Sequence, residues 1–269
     1  MSDVPVNEAF RLHGSRAVVT GGSSGIGAEL CRALARSGAD IASVHRGDAE
    51  GAARTIAEIE ALGRRCVMLD GDTGDSASVD ALAQLAVDEL GGIDIWINNA
   101  AGLLVRSFLD VSDADWHGLM AANLHGYFYG CRAAARVLVG QASGGRIINV
   151  SSAADVQPLA DAVPYITAKG GIVAMTQSLA LDLAPHGITV NAIAPGATDT
   201  PLNGTAYTPA VRETYARRIA LGYIAAPAEI ADAAVFLATY AARYITGHEL
   251  LVDGGLTING SVGHGRDPS

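Results

Sequence analysis

The chain predicts an α/β protein, a single doubly wound sheet of about seven parallel strands with helices on both faces. Three observations carry this. Short apolar runs alternate with helical patterns along all 269 residues. The runs are unbroken, which means both faces of each strand are covered. Apolar residues make up 49% of the chain but aromatics only 5%, and there are 32 glycines, a composition suited to helices packed closely on a sheet.

The elements follow in order. "RAVVTGG" is the first strand and Ile26 to Ser37 its helix; "DIASV" is followed by a helix from Ala49 to Leu62. "RCVML" leads to a helix from Ser76 to Leu90, and "IDIWINN" to one from Ser112 to Val139. "GRIINVS" precedes a helix near Ala162 to Ala184, "ITVNAIAP" precedes one from about Pro227, and "HELLVDGG" closes the sheet. Gly38 and Gly63 stand where a left-handed cap ends a helix, and Ser112-x-x-Asp115 has the form of a capping box. No interdomain linker interrupts the pattern, so one domain spans 1–269. Residues 199–222 carry the poorest periodicity and read as an insertion over a substrate, a lid; the Gly-rich, polar stretch 257–269 reads as a tail.

Composition excludes several function classes. The net charge of -10 repels phosphate backbones, so nucleic acid is not a partner. No apolar run approaches the ~20 residues that span a bilayer, and "MSDVPVNEAF" has no signal pattern, so a cytoplasmic protein with no membrane partner is expected. Cys31, Cys66 and Cys131 are too widely spaced and too few for a zinc site or a disulfide framework, and they read as small buried hydrophobes.

After the first strand comes "TGGSSGIG", Thr20 to Gly27. Gly21, Gly25 and Gly27 let a pyrophosphate approach free backbone N–H groups where Ile26 opens a helix, with Ser23 and Ser24 in the turn. The spacing is G-x-x-x-G-x-G, and its place after strand one makes it a dinucleotide cradle. The second strand ends "SVHRGD", without the acid that would hold the ribose of NAD. His45 and Arg46 stand at that tip, and Arg46 can pair with a 2'-phosphate, so NADP(H) is favoured and NAD(H) possible; Asp48 falls too late in the register to be the ribose acid.

The chain has eighteen basic residues and its one lysine is Lys169, in "PYITAKG", four residues after Tyr165 and so on the same helical face. With eight tyrosines, chance places one at that offset in only about three cases in a hundred. A phenol is a poor acid or base near pH 7, and a nearby ammonium lowers its pKa. Lysine offers a compact head that reaches a phenol and a ribose hydroxyl together, whereas arginine is shaped for bidentate partners. Ser152, at the C-terminal end of strand five, can hydrogen-bond the reacting oxygen, with Ser151 its rival on the opposite face.

Together these motifs resemble the short-chain dehydrogenase/reductase family over nearly the whole chain. "TGGSSGIG" resembles its cofactor loop, and "GDT" its adenine segment, with Asp72 and Thr73. "INNAAG" resembles the N-N-A-G signature, with Asn99 and Ala100, and "ANLHG" carries Asn123 at the catalytic asparagine. "SS" and "YITAK" match the Ser, Tyr, Lys set, and "APGATDT" the nicotinamide-side loop, with Pro195, Gly196, Thr198 and Thr200. Ala101 and Thr198 depart from the usual residues without removing a reacting group.

The resemblance implies a Rossmann-type fold and an NAD(P)(H)-dependent interconversion of alcohol and carbonyl on a small molecule, without a metal. Tyr165 would move the proton, Lys169 would bind the nicotinamide ribose and lower the tyrosine pKa, and Ser152 would orient the substrate oxygen. Asn123 would complete a water relay to Lys169; on the residues alone it reads equally as a helix-bending or capping amide. "PGATDTPLN", "GYIAAPAEIA" and "DGGLTINGSVGHGR" resemble glucose 1-dehydrogenases and favour a sugar or polyol, although "AADVQPLADAV" offers few polar groups beyond Asp155, Gln157 and Asp161. The alternative is a 3-oxoacyl thioester reductase, whose carrier would use Arg106, Arg212, Arg217 and Arg218. A catalytically silent dinucleotide-binding protein is the reading from a different class, opposed by the complete Asn, Ser, Tyr, Lys set. The family also implies a homo-oligomer, commonly a tetramer.

Overall fold

Seven strands form one sheet, in which each strand runs parallel to its neighbours: β1 (Arg16–Thr20), β2 (Asp40–His45), β3 (Cys66–Asp70), β4 (Ile95–Asn98), β5 (Gly145–Val150), β6 (Ile188–Pro195) and β7 (Glu249–Val252). These come from a computed structural model of the chain, which describes residues 5–204 and 206–260. The strand order is β3-β2-β1-β4-β5-β6-β7. The chain therefore builds outward from β1 to β3 and returns across the sheet to β4. At that reversal the loops after β1 and β4 diverge and open a crevice at the strands' C-terminal ends.

The short helix α1 (Val6–Ala9) precedes the sheet; α2 (Gly25–Arg36), α3 (Ala49–Glu60) and α4 (Ser76–Leu90) connect β1 through β4. Then come α5 (Asp113–Met120), α6 (Gly126–Gln141), α7 (Val163–Leu183), α8 (Pro209–Arg218) and α9 (Pro227–Ala238). Successive strand residues feed opposite cores. Ala17, Val19, Ile95 and Ile97 pack with Leu30, Leu34 and Leu237 of α2 and α9 on one face. Val18, Trp96, Ile147 and Val190 pack with Leu82, Leu90 and Leu138 of α4 and α6 on the other. Both faces are dry, which is why the strands read as unbroken apolar runs.

Local signals match the geometry. Gly63, at φ 72° after α3, has nothing within 4 Å of a built Cβ, so backbone conformation alone requires glycine there. Ser112 accepts from the Asp115 amide at 3.1 Å and Asp115 accepts from the Ser112 amide at 3.1 Å, completing the capping box. The three cysteines are buried and free, and burial pushes the Cys66 and Cys131 thiols up to about 12.

One expectation needs correction, and one segment holds an element that the pattern does not show. The helix read from Ser112 to Val139 is interrupted: α5 passes through a π-turn at Ala121–His125 before α6 begins. Periodicity does not reveal one inserted residue, because the apolar stripe resumes a fraction of a turn later. Within 199–222, the weak pattern conceals α8, capped by the Thr208 hydroxyl and started by Pro209. No residue of α8 is buried, so it carries no apolar stripe to be read. Of the tail, residues 261–269 lie outside the described residues.

Candidate active site

The cradle after β1 is built by close backbone packing. A Cβ on Gly27 would lie 1.9 Å from the Gly21 carbonyl oxygen, and Gly21 and Gly25 take φ of 78° and 54°. The Gly21 amide donates to Val44 O at 2.9 Å, and the Gly22 amide to the Ser43 hydroxyl at 3.1 Å, which pins the turn to β2. Thr20 Oγ1 accepts from the amides of Asn99 and Ala100 at 2.9 and 3.0 Å, and Asn99 Nδ2 donates to Thr20 O. The loop after β4 is thereby fixed beside the cradle, with the Asn99 side chain spent on that attachment. Thr200, from the loop after β6, closes the other side, its Cβ 3.6 Å from a Cβ built on Gly25.

These loops line one cleft of about 650 Å³. It takes in Ser23, Ser24 and Ile26 of the cradle, His45 and Arg46 after β2, and Asp72 and Thr73 after β3. Pro195, Gly196 and Thr198 form its wall after β6, and Ser152, Tyr165 and Lys169 lie on its floor. The glycine cradle that any Cβ would fill, at the open end of α2, fits a dinucleotide pyrophosphate. Arg46 is 72% exposed and donates to Asp72 at 3.1 Å. Asp72 also accepts from the Gly74 amide at 2.8 Å, so this carboxylate, expected at the adenine, holds the guanidinium in place. The Gly74 amide, then Arg46, draws its pKa down against burial. Asp48 caps α3 by accepting from Gly51, and the Ser23 hydroxyl with that amide holds its carboxyl below the usual range.

The residues expected to carry the proton transfer sit where β5 meets α7. Lys169 is fully buried; its Nζ donates to Val150 O at 2.7 Å and to the Tyr127 hydroxyl at 3.3 Å, and lies 5.7 Å from the Tyr165 ring centre. Burial brings its pKa down to about 7, with the charge of Asp155 opposing. Burial pushes the Tyr165 phenol up, while the Ser152 hydroxyl pulls it down. Burial outweighs the pull of the Ser152 hydroxyl on that phenol, and the Lys169 ammonium donates to Tyr127 and Val150. Ser151 and Ser152 diverge as strand alternation requires. Both serines line the cleft, but Ser151 Oγ is tied to the neighbouring strands, 3.0 Å from Ile193 O and 2.6 Å from Glu249 Oε1.

Asn123 is the one expected catalytic residue that does not line the cleft; its neighbour Ala122 does. It lies fully buried in the π-turn, accepting from the Gly102 amide at 2.7 Å and donating to Gly102 O at 2.8 Å. Its amide ties the loop after β4 to the helix, and that tie accounts for the inserted residue. Tyr127 and Glu249 were not among the expected site residues: their partners Lys169 and Ser151 lie 42 and 98 positions away in the chain, so neither has a local signal.

Comparison with known proteins places this architecture. Residues 21–257 match the family model described as Enoyl-(Acyl carrier protein) reductase. The chain is 40% identical over 249 residues to 3beta-hydroxysteroid dehydrogenase 1 of Eggerthella lenta, covering 92% of this chain and 95% of that one. It is 37% identical over 246 residues to L-rhamnose 1-dehydrogenase (NAD(P)(+)) of Azotobacter vinelandii, covering 90% and 96%. A short chain dehydrogenase from Burkholderia cenocepacia J2315, solved in complex with NADP, superposes with a TM-score of 0.85 at 35% identity, covering 91% of this chain and 99% of that one. The chain belongs to the short-chain dehydrogenase/reductase family. It is an NAD(P)-dependent oxidoreductase that interconverts an alcohol and a carbonyl.

Proposed function

We propose that the substrate is a bulky, largely apolar secondary alcohol or its ketone, of fused-ring size, with NADP(H) the favoured cofactor and NAD(H) the second. The observation that carries this is the apolar part of the cleft's lining, Leu103, Val105, Ala154, Pro158, Leu159 and Leu202, which outnumbers the polar Asn203, Tyr207 and Tyr215 beside it. A polyol needs a donor or acceptor for each hydroxyl, and apolar walls leave them unpaired. Of the three polar residues after Ser152, Gln157 alone lines the cleft. The Eggerthella relative, named for a hydroxysteroid, supports the same class. A sugar or polyol is the second reading, supported by the rhamnose dehydrogenase. The thioester alternative is weakened because Arg106, Arg212 and Arg217 are paired with Asp115, Asp199 and Glu213; Arg218 lines the cleft.

In this reading a bound nicotinamide supplies the hydride acceptor or donor. Tyr165 moves the proton at the substrate oxygen, and Ser152 hydrogen-bonds that oxygen as charge develops. Lys169 holds the ribose and places positive charge behind the phenol, and Asn123 acts by fixing the loop at Gly102. Arg46, held by Asp72, takes the 2'-phosphate. Residues 199–222 serve as the substrate lid, within a single-domain homotetramer of the cytoplasm. The test is turnover with NADP and NAD over hydroxysteroids, alicyclic ketones, aldoses, polyols and 3-oxoacyl thioesters. Preference for an aldose would overturn the substrate class. Appreciable activity in Tyr165→Phe, with cofactor binding retained, would overturn the mechanism.

A further inference from the structure

A buried hydroxyl beside the active centre has no part in the proton transfer itself. Tyr127, the second residue of α6, is fully buried and does not line the cleft. Its hydroxyl lies 3.0 Å from Val150 O at the end of β5 and 3.3 Å from Nζ of Lys169 on α7, and Nζ lies 2.7 Å from the same carbonyl oxygen. Three polar atoms from three elements thus close a triangle. The sense of its hydrogen bonds is fixed, because a carbonyl only accepts and an ammonium only donates. The Tyr127 hydroxyl must give its proton to Val150 O and turn a lone pair to Lys169.

The π-turn at Ala121–His125 sets the face on which the phenol falls. One inserted residue turns the following helix by about 100°, and Tyr127 stands two positions after the insertion. An ammonium has three N–H donors. Among the described residues Val150 O and the Tyr127 hydroxyl are its hydrogen-bond partners, so two donors are spent and one is left. Lys169 lines the cleft, with Nζ 5.7 Å from the Tyr165 ring centre, so the third N–H has the cleft to serve. Core filling would ask only for the Tyr127 ring, whose centre is 5.0 Å from Nζ; the hydroxyl answers to the ammonium.

We propose that Tyr127 is a positioning residue for the active centre: its hydroxyl, fixed by Val150 O, takes one N–H of Lys169 and leaves a single N–H for the cleft. On the reading of Lys169 as the ribose-binding residue, on which the proposal rests, that N–H goes to the nicotinamide ribose. A hydrogen bond accepted from the ammonium also favours its charged form. Burial works against that form and brings the lysine to about 7, so near neutral pH the Tyr127 hydroxyl helps to keep Lys169 charged. Tyr165, and Asp155, whose charge opposes burial, act on the same ammonium and are left in place when Tyr127 is changed.

The chain's single lysine makes the test direct. Lysine labelled with 13C at Cε gives the full-length protein one such signal, and its shift against pH reports the Lys169 midpoint. In Tyr127→Phe, which keeps the ring, that midpoint falls by about one pH unit, the effect of removing a hydrogen bond to the charged form. An unchanged midpoint in a folded variant overturns the proposal. In calorimetric titrations Tyr127→Phe binds NADP and NAD about two- to tenfold more weakly, and binds ADP, which lacks the nicotinamide ribose, as wild type does. An equal loss for ADP overturns the positioning role. A fallen midpoint with both dinucleotides bound as by wild type supports the tie and removes Lys169 from the ribose, so the two readings fail separately. A further measurement needs no variant: in the wild-type protein the Lys169 Cε protons show through-space NMR contacts to the Tyr127 ring, and their absence overturns the proposal.

Discussion

Replacing Gly27 by alanine tests the cradle at its tightest point. The added Cβ would lie 1.9 Å from Gly21 O, 2.6 Å from Asn99 Nδ2 and 2.8 Å from the Gly21 carbonyl carbon. Ordinary contact begins near 3.4 Å, so the start of α2 and the turn at Gly21 must part by about 1.5 Å. Neither side yields easily: Gly21 is held to Val44, and Asn99 to Thr20. Overpacking of this kind costs about 1–3 kcal/mol, or about 2–10 °C in melting midpoint for a domain of this size. A displacement of 1 Å in a binding constellation lowers kcat/KM by about a hundredfold. Gly63→Ala is the control. It meets no neighbour within 4 Å and forces alanine to φ 72°, costing about 1–2 kcal/mol at a site away from the cleft. Calorimetric titration with NADP, alongside thermal melting, separates the two. The expected result is weakened binding in Gly27→Ala alone, with both variants less stable. Binding by Gly27→Ala within twofold of wild type would refute the cradle.

Other consequences are as direct. Asn123→Ala strands the Gly102 amide and carbonyl, costing about 2–4 kcal/mol and speeding hydrogen exchange in the loop after β4; protection equal to wild type would show the tie to be unimportant. Arg46→Ala raises KM for NADP about tenfold, the worth of one charge-assisted contact, and leaves NAD unaffected; equal effects on both would remove Arg46 from the 2'-phosphate. Asp48 has its folded pKa depressed by Ser23 and Gly51, so its contribution is present above the unfolded carboxyl pKa and is lost as pH falls through the folded one. Asparagine caps a helix equally well, so Asp48→Asn melts as wild type at neutral pH but declines less on acidification; parallel melting curves across pH would contradict this.

Strands and the cradle were legible because their signals are local. A strand dry on both faces writes itself as a run such as "IDIWINN", and a turn that must admit a pyrophosphate writes itself in glycines. Features that answer only to tertiary packing left no such trace. The π-turn at Ala121–His125 exists to bring Asn123 to Gly102, 21 positions away, and α8 lacks a stripe because it covers no core. The pairing of Arg46 with Asp72 likewise depends on β2 and β3 being neighbours in register.

The lysine marks the boundary most clearly. Its solitary place four residues after Tyr165 was enough to single out a candidate proton-transfer helix, because α-helical periodicity alone puts the two on one face. Its electrostatics were not. Whether an ammonium lowers a phenol's pKa depends on how far both are withdrawn from water and on what else is buried with them. Here Tyr127 and Val150 are buried with Lys169, and only the closed sheet brings these groups together.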